Sequence, residues 1–311
     1  MDYFELNMDA MKLVRNGLYE KILNYVKEST SDNTILVESA KAIYSDYYLL
    51  VHRDNTLHRL NSSYSPSHEA EKWVEQYSFN NLNVVISLFG LGSGVFAREL
   101  VKNKDNKDTI IIYEPSFKIF YHVLHNYDIT DIIKEKSIIL SIEGINEFDF
   151  HQALRAIVNI TNIYSQIKCT HPGYEKLFPE KAIYFWKEIK DVYIHEKTNI
   201  NTEQFFGKRF ISNGLFNSRY LRNSIRLMDI KKYINTNLPA IVVAAGPSLK
   251  ENLVELRKAK GKAYVFVVDR ILDYVLDSGI EPDFIVTVDP IKPLEYFTTR
   301  TDVTIPLLCE L

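Results

Sequence analysis

Cysteine is nearly absent: Cys169 and Cys309 are the only two thiols in 311 residues, and neither has a second Cys or a His at zinc spacing. That excludes a disulfide framework and gives a structural zinc site no support. The eight histidines form no H-E-x-x-H or similar box. No apolar run reaches membrane-spanning length, and the N-terminus, Met1-Asp2-Tyr3-Phe4-Glu5, puts acids where a signal peptide needs a basic region. Cytoplasmic residence, with no membrane partner, is the expectation. Basic charge is not in excess either. A net charge of −3 and a pI near 6.3 give polyanions no long-range attraction, which argues against nucleic acid as a principal partner.

What is there is a folded-protein composition, 46% hydrophobic and 25% charged, which also argues against long disordered stretches. The 20 tyrosines and 17 phenylalanines are scattered, a pattern that fills cores. At 311 residues the chain exceeds one compact core, so two domains are expected.

Periodicity divides the chain. Residues 1–80 read as a small α+β cap. Met11, Val14, Leu18, Ile22 and Tyr25 mark one amphipathic helix over about 3–28, and residues 34–42 and 47–60 read as strands with a turn at Arg53-Asp54-Asn55-Thr56. Ser65 and Pro66 then start a helix reaching about Tyr77. Residues 81–198 alternate: an apolar run at 84–88, helix to Lys102, strand 109–113 ending in Glu114, helix 116–126, strand 137–142, then helices over 151–161 and 181–196 around an irregular stretch at 169–179. This grammar predicts a parallel sheet. Residues 199–237 read as a polar helical connector whose aromatics pack. From 238 to 311 the same grammar restarts, with strands at 240–244, 263–268 and 284–288 and a fourth at 304–308, close to residue 311. The fold class is therefore α/β, two successive Rossmann-like parallel-sheet domains behind the cap, the second expected to be truncated.

Two strand-to-helix turns carry candidate chemistry. In the first sheet, Gly90, Gly92 and Gly94 form G-x-G-x-G, with Glu114 at the end of the next strand, where it would face a ribose. The plainer reading is a tight turn with Glu114 capping a helix. In the second, Gly246-Pro247-Ser248 joins strand to helix, and Ser248 with Glu251 fits an S-x-x-E capping box. Gly246 would let a nucleotide phosphate reach the helix N-terminus, against the plainer reading of a capped helix without ligand. Asp269 and Asp289 end the following strands, where open parallel sheets bind ligands. Their separation fits no metal box, so no tightly held divalent ion is expected. His171, before Pro172-Gly173, reads as a loop residue.

These residues resemble the motility accessory factor family, whose central domain is shared with archaeal hydroxymethyl-dihydropterin diphosphokinases. The segments Leu238-Pro239-Ala240-Ile241-Val242-Val243-Ala244-Ala245-Gly246-Pro247-Ser248-Leu249 and Gly279-Ile280-Glu281-Pro282-Asp283-Phe284-Ile285-Val286-Thr287-Val288-Asp289-Pro290 carry the resemblance. Leu60 to Pro66, Phe89 to Gly94 and Glu114-Pro115 extend it. It implies a glycosyltransferase that moves a nonulosonic acid, pseudaminic or legionaminic in type, from a CMP-sugar to Ser or Thr of flagellin, with no cofactor beyond the donor. CMP is a good leaving group, and turn amides would stabilise it. The turn is also similar to the G-N-G-P-S of bacterial sialyltransferases, with Ala245 at the asparagine position, so that side-chain contact is missing. Gly246, Pro247, Ser248, Asp269 and Asp289 carry over as nucleotide-sugar residues; Gly90, Gly92, Gly94 and Glu114 form a second candidate site. No residue is assigned as the acceptor's base. Pyrophosphate transfer to a pterin, or a non-catalytic module binding nucleotide or flagellin, are the competing readings.

Overall fold

The computed structural model describes residues 2–28, 35–44, 47–79, 83–289, 292, 298, 300 and 302–309. Thr34, read above as part of a strand, and Pro290, the last residue of the second resembling segment, lie outside them. The chain forms two compact units, Met1–Ile200 and Asn201–Leu311. Its parallel and antiparallel sheets are those of a mixed α/β protein with Rossmann-like halves.

The first unit opens with two helices where one was expected, α1 (Tyr3–Val14) and α2 (Asn16–Glu28). Arg15 breaks the run. Its backbone leaves the helical region (φ −138°, ψ 48°), and its guanidinium donates to the carbonyls of Ile133, Glu135 and Ile138 at 2.7–2.8 Å. An antiparallel sheet of β1 (Ile35–Lys41), β2 (Tyr47–Arg53) and β3 (Thr56–Arg59) follows. Asp54 and Asn55 make its second turn, both at positive φ as a two-residue hairpin requires. Ser65 caps α3 (Pro66–Val74), accepting from the amide of His68.

The main sheet of this unit has four parallel strands in the order β6-β5-β4-β7. These are β4 (Val85–Phe89), β5 (Thr109–Glu114), β6 (Ile138–Ile142) and β7 (Gln166–Thr170). Every residue of β4 is buried, as a strand covered on both faces must be. The helices α4 (Val95–Asn103), α5 (Phe117–Asn126), α6 (Thr130–Lys134) and α7 (Asp149–Ile157) connect and cover it. The expected irregular stretch, 169–179, takes in the last two residues of β7, which starts three residues before it, and the one-turn α8 (Tyr174–Leu177). β7 is a half-exposed edge strand paired to β4, too polar to give the buried-strand signal.

α9 (Pro179–Asn217) runs through the expected boundary near 198 because no glycine or proline stops it there. Its buried residues Ala182, Phe185, Ile189, Val192 and Tyr193 follow helical spacing. One core joins residues of the cap, such as Met11, Leu49 and Val51, to the main sheet.

In the second unit, 3-10 turns at Ser218–Asn223 and Leu227–Lys232 precede a four-stranded parallel sheet. Its strands are β8 (Ala240–Val243), β9 (Tyr264–Val268), β10 (Phe284–Thr287) and β11 (Leu307–Cys309), neighbours in chain order. α10 (Leu249–Arg257) and α11 (Leu272–Asp277) form the first two crossovers. Val265 and Val267, alternate residues of β9, share a small core with Leu256 of α10 and Val275 of α11. No described helix is long and apolar enough to cross a membrane.

Candidate functional site

The two turns predicted from sequence differ in kind. Around the first, Gly90, Gly92 and Gly94 all have left-handed φ, 91°, 56° and 86°. A Cβ at Gly90 would lie 2.5 Å from the Tyr174 ring, one at Gly92 2.3 Å from Nε2 of His171, and one at Gly94 2.5 Å from Cδ1 of Ile132. The space that missing side chains leave is thus filled by the protein. Glu114 is fully buried. Its carboxylate accepts from the amides of Leu91 (2.9 Å), Gly92 (3.4 Å) and Ser116 (3.1 Å) and from the hydroxyl of Tyr174 (3.0 Å).

Burial pushes the Glu114 carboxyl up to about 7, against the pull of these donors. In place of the ribose expected from sequence, Glu114 ties β5 to the glycine turn. This corrects the expectation for its side chain and accounts for all three glycines by packing alone. His171 follows β7 directly in the loop before α8, as expected, and is a core residue nonetheless. It is fully buried between Phe96 and Tyr174, and burial lowers its imidazole to about 4. The place of Tyr174 and His171 under the turn gave no sequence signal, because it depends on β7 pairing with β4.

The second turn is open. Ala244 through Ser248 are exposed at the carboxyl end of β8. A Cβ at Gly246 would meet only Ser248 Oγ, at 3.9 Å, and its φ is not left-handed. The amide of Gly246 donates to the Ala244 carbonyl at 2.8 Å, and that of Leu249 to the Gly246 carbonyl at 3.2 Å. The expected capping box does not form: Ser248 has helical φ and ψ (−67°, −14°), and its side chain makes no cap hydrogen bond. A helical Ser248 has already joined the first turn, so its hydroxyl cannot swing back over it. Amides at the start of α10 lack intrahelical acceptors and carry the positive end of the helix dipole.

Asp269 follows β9 directly, beside this turn: β8 pairs with β9 in parallel, Val243 opposite Val267. Its side chain is nearly buried and fully engaged. Oδ1 accepts from Lys292 and from the Arg270 amide (2.6 Å); Oδ2 accepts from the Thr287 hydroxyl. Burial alone would raise this carboxyl, but Lys292, Thr287 and the Arg270 amide outweigh it and hold it below the ordinary aspartate value. Lys292 escaped the sequence reading because a lone lysine past the end of β10 has no periodic or motif signal. Asp289 lies exposed, two residues past the end of β10. Among the described residues no three His, Cys, Asp or Glu side chains gather in one place.

Comparison with known proteins adds four findings. Residues 212–311 match the family described as 6-hydroxymethylpterin diphosphokinase MptE-like. Both segments that carry the sequence resemblance, 238–249 and 279–290, fall inside this match, as do Gly246, Asp269 and Lys292. An uncharacterized protein of Treponema pallidum (strain Nichols) is 29% identical over 94 residues, 30% of this chain and 43% of that protein. Among solved structures, the MAf glycosyltransferase of Magnetospirillum magneticum AMB-1 is similar over 92% of this chain and 49% of its own, at 13% identity and a TM-score of 0.43. A protein-L-isoaspartate O-methyltransferase is similar over 45% of this chain and 41% of its own, at 15% identity and a TM-score of 0.21. The chain thus spans less than half of the curated relative and about half of the first of these structures.

Proposed function

We propose that this chain is part of a motility accessory factor, a glycosyltransferase that moves a nonulosonic acid of the pseudaminic or legionaminic type from a CMP donor to Ser or Thr of flagellin, as flagellar assembly and motility require. The observation that carries the reading is the open Gly246-Pro247-Ser248 turn at the carboxyl end of β8, with Asp269 ending the neighbouring strand. Open parallel sheets bind their ligands at this end.

In the proposed reaction the bond from the sugar's anomeric carbon to the phosphate oxygen breaks, and its electron pair leaves with CMP. The acceptor hydroxyl oxygen bonds to the anomeric carbon and gives its proton to a base. Negative charge grows on the leaving phosphate as the bond lengthens, so amides at the start of α10 act where charge develops. Gly246 is required because a side chain there would stand between phosphate and backbone. This end of the sheet holds the donor, and acceptor recognition belongs to the whole protein.

A second reading, pyrophosphate transfer from ATP to a pterin, draws on the description of the matching family. Calorimetric titration of the purified chain with CMP, ATP and S-adenosylmethionine, each with and without magnesium, separates the two. CMP binding without magnesium, lost in Gly246→Val, is the expected result. Magnesium-dependent ATP binding would favour the pterin reading, and silence toward all three would sink both for this chain.

A further inference from the structure

A lysine beside the strand ends of the second sheet has no part in the reaction proposed above. Lys292 pairs with Asp269, and the two side chains are only 19% and 8% exposed. Asp269 spends both oxygens on Lys292, the Arg270 amide and Thr287. Lys292, by contrast, has three N–H donors, of which Asp269 takes one; among the described residues no other hydrogen-bond acceptor of its ammonium is recorded. The pair is neutral overall, and the donors it offers an incoming ligand are those of the Lys292 ammonium.

The register places that pair. Val243 is level with Val267, and Val286 with Val268. Continued by one or two residues, the same register brings Ala245 and Thr287 level with Asp269, with strands about 4.8 Å apart. The cluster thus stands one strand from the turn that leads into α10. A nearly buried ion pair contributes little net stability, since an apolar pair of the same volume commonly does as well. Its position at the carboxyl end of a parallel sheet gives it a different use.

We propose that Lys292, held in place by Asp269, takes the phosphate of the nucleotide at this crevice, and that Asp269 is a positioning residue acting through Lys292 rather than a ribose contact. The inference rests on reading the Gly246 crevice as a nucleotide site, but it is indifferent to the base. Asp269 holds the ammonium at one point before the ligand arrives, so less side-chain freedom is lost on binding. Thr287 fixes the carboxylate from the other side. The phosphate then lies between two positive elements, the Lys292 ammonium and the first turn of α10.

Calorimetric titration of the 311-residue chain with CMP, cytidine and ATP, in wild type, Lys292→Met and Lys292→Arg, tests this. Lys292→Met is expected to weaken CMP binding by about tenfold to a hundredfold, the loss of one charge-assisted hydrogen bond. Cytidine binding should stay unchanged, and Lys292→Arg should restore most of the CMP affinity. Equal CMP affinity in wild type and Lys292→Met overturns the assignment while leaving the glycosyltransferase reading intact. Loss of cytidine together with CMP in Lys292→Met, unrestored by arginine, makes the lysine structural and also overturns it. Binding of ATP but not CMP, lost in Lys292→Met and restored in Lys292→Arg, upholds Lys292 and removes the CMP-sugar reading. A wild-type chain that binds neither nucleotide removes both.

Discussion

The two glycine turns predict opposite outcomes for the same substitution. In Gly92→Ala the new methyl carbon would stand 2.3 Å from Nε2 of a fully buried His171, at a φ of 56°. Left-handed backbone costs an L-residue roughly 1–2 kcal/mol, and forcing a methyl into a packed site adds about 1–3 kcal/mol. The sum is roughly 2–5 kcal/mol, or on the order of 10 °C in Tm for a unit of about 200 residues. In Gly246→Ala the nearest atom is Ser248 Oγ at 3.9 Å and φ is not left-handed, so stability should stay within about 0.5 kcal/mol of wild type.

Tryptophan fluorescence reads the first unit selectively, because Trp73 and Trp186 are the only tryptophans and both lie before Ile200. Trp73 also touches Phe96, which packs on His171. Thermal and urea melts followed at this signal should show the large loss in Gly92→Ala. A Gly92→Ala melt within a degree or two of wild type would refute the packing account, and the first turn would regain its standing as an open ligand site.

Two further predictions concern the first unit. Glu114, raised from 4.5 to about 7, binds its proton more tightly when folded, so its contribution is present below pH 4.5 and lost as pH rises through 7. His171, lowered from 6.5 to about 4, does the reverse: its contribution is present above pH 6.5 and lost as pH falls through 4. Each amounts to about 3 kcal/mol at most, and across pH 4.5–6.5 they oppose one another. Glu114→Gln leaves the histidine uncompensated, so stability minus that of wild type should rise with pH between about 5 and 7; a flat difference would show that Glu114 does not titrate there. Arg15→Met removes charged donors from three carbonyls and should lower the urea stability of this unit by roughly 1.5–3 kcal/mol; no change would mean that water replaces the guanidinium without cost.

Local signals reached far into this fold. Mostly apolar runs such as 84–88 and 109–113 specify strands buried on both faces, and Ser65-Pro66 specifies a helix start, because both depend on neighbours in the chain. The split at Arg15 was not legible, since its cause is three carbonyls more than a hundred residues away. Nor was β7, whose strand conformation comes from pairing with β4. At the candidate site, the Gly246 turn and the strand-end position of Asp269 were read correctly as places, while the capping box failed because Ser248 took helical dihedrals.

The sequence by itself determined where backbone could turn sharply: glycine at 90, 92, 94 and 246 marks both strand-to-helix connections. Only the tertiary structure decided what each glycine is for. At Gly92 the missing Cβ is the space occupied by His171 from the end of the neighbouring strand β7, whereas at Gly246 it is open. The same separation holds for charge. Glu114 and Asp269 are alike in sequence, each an acid at the end of a strand, yet one is buried among backbone amides and the other pairs with Lys292. Which partner a carboxylate meets is fixed by contacts between residues distant in the chain, and no local pattern encodes them.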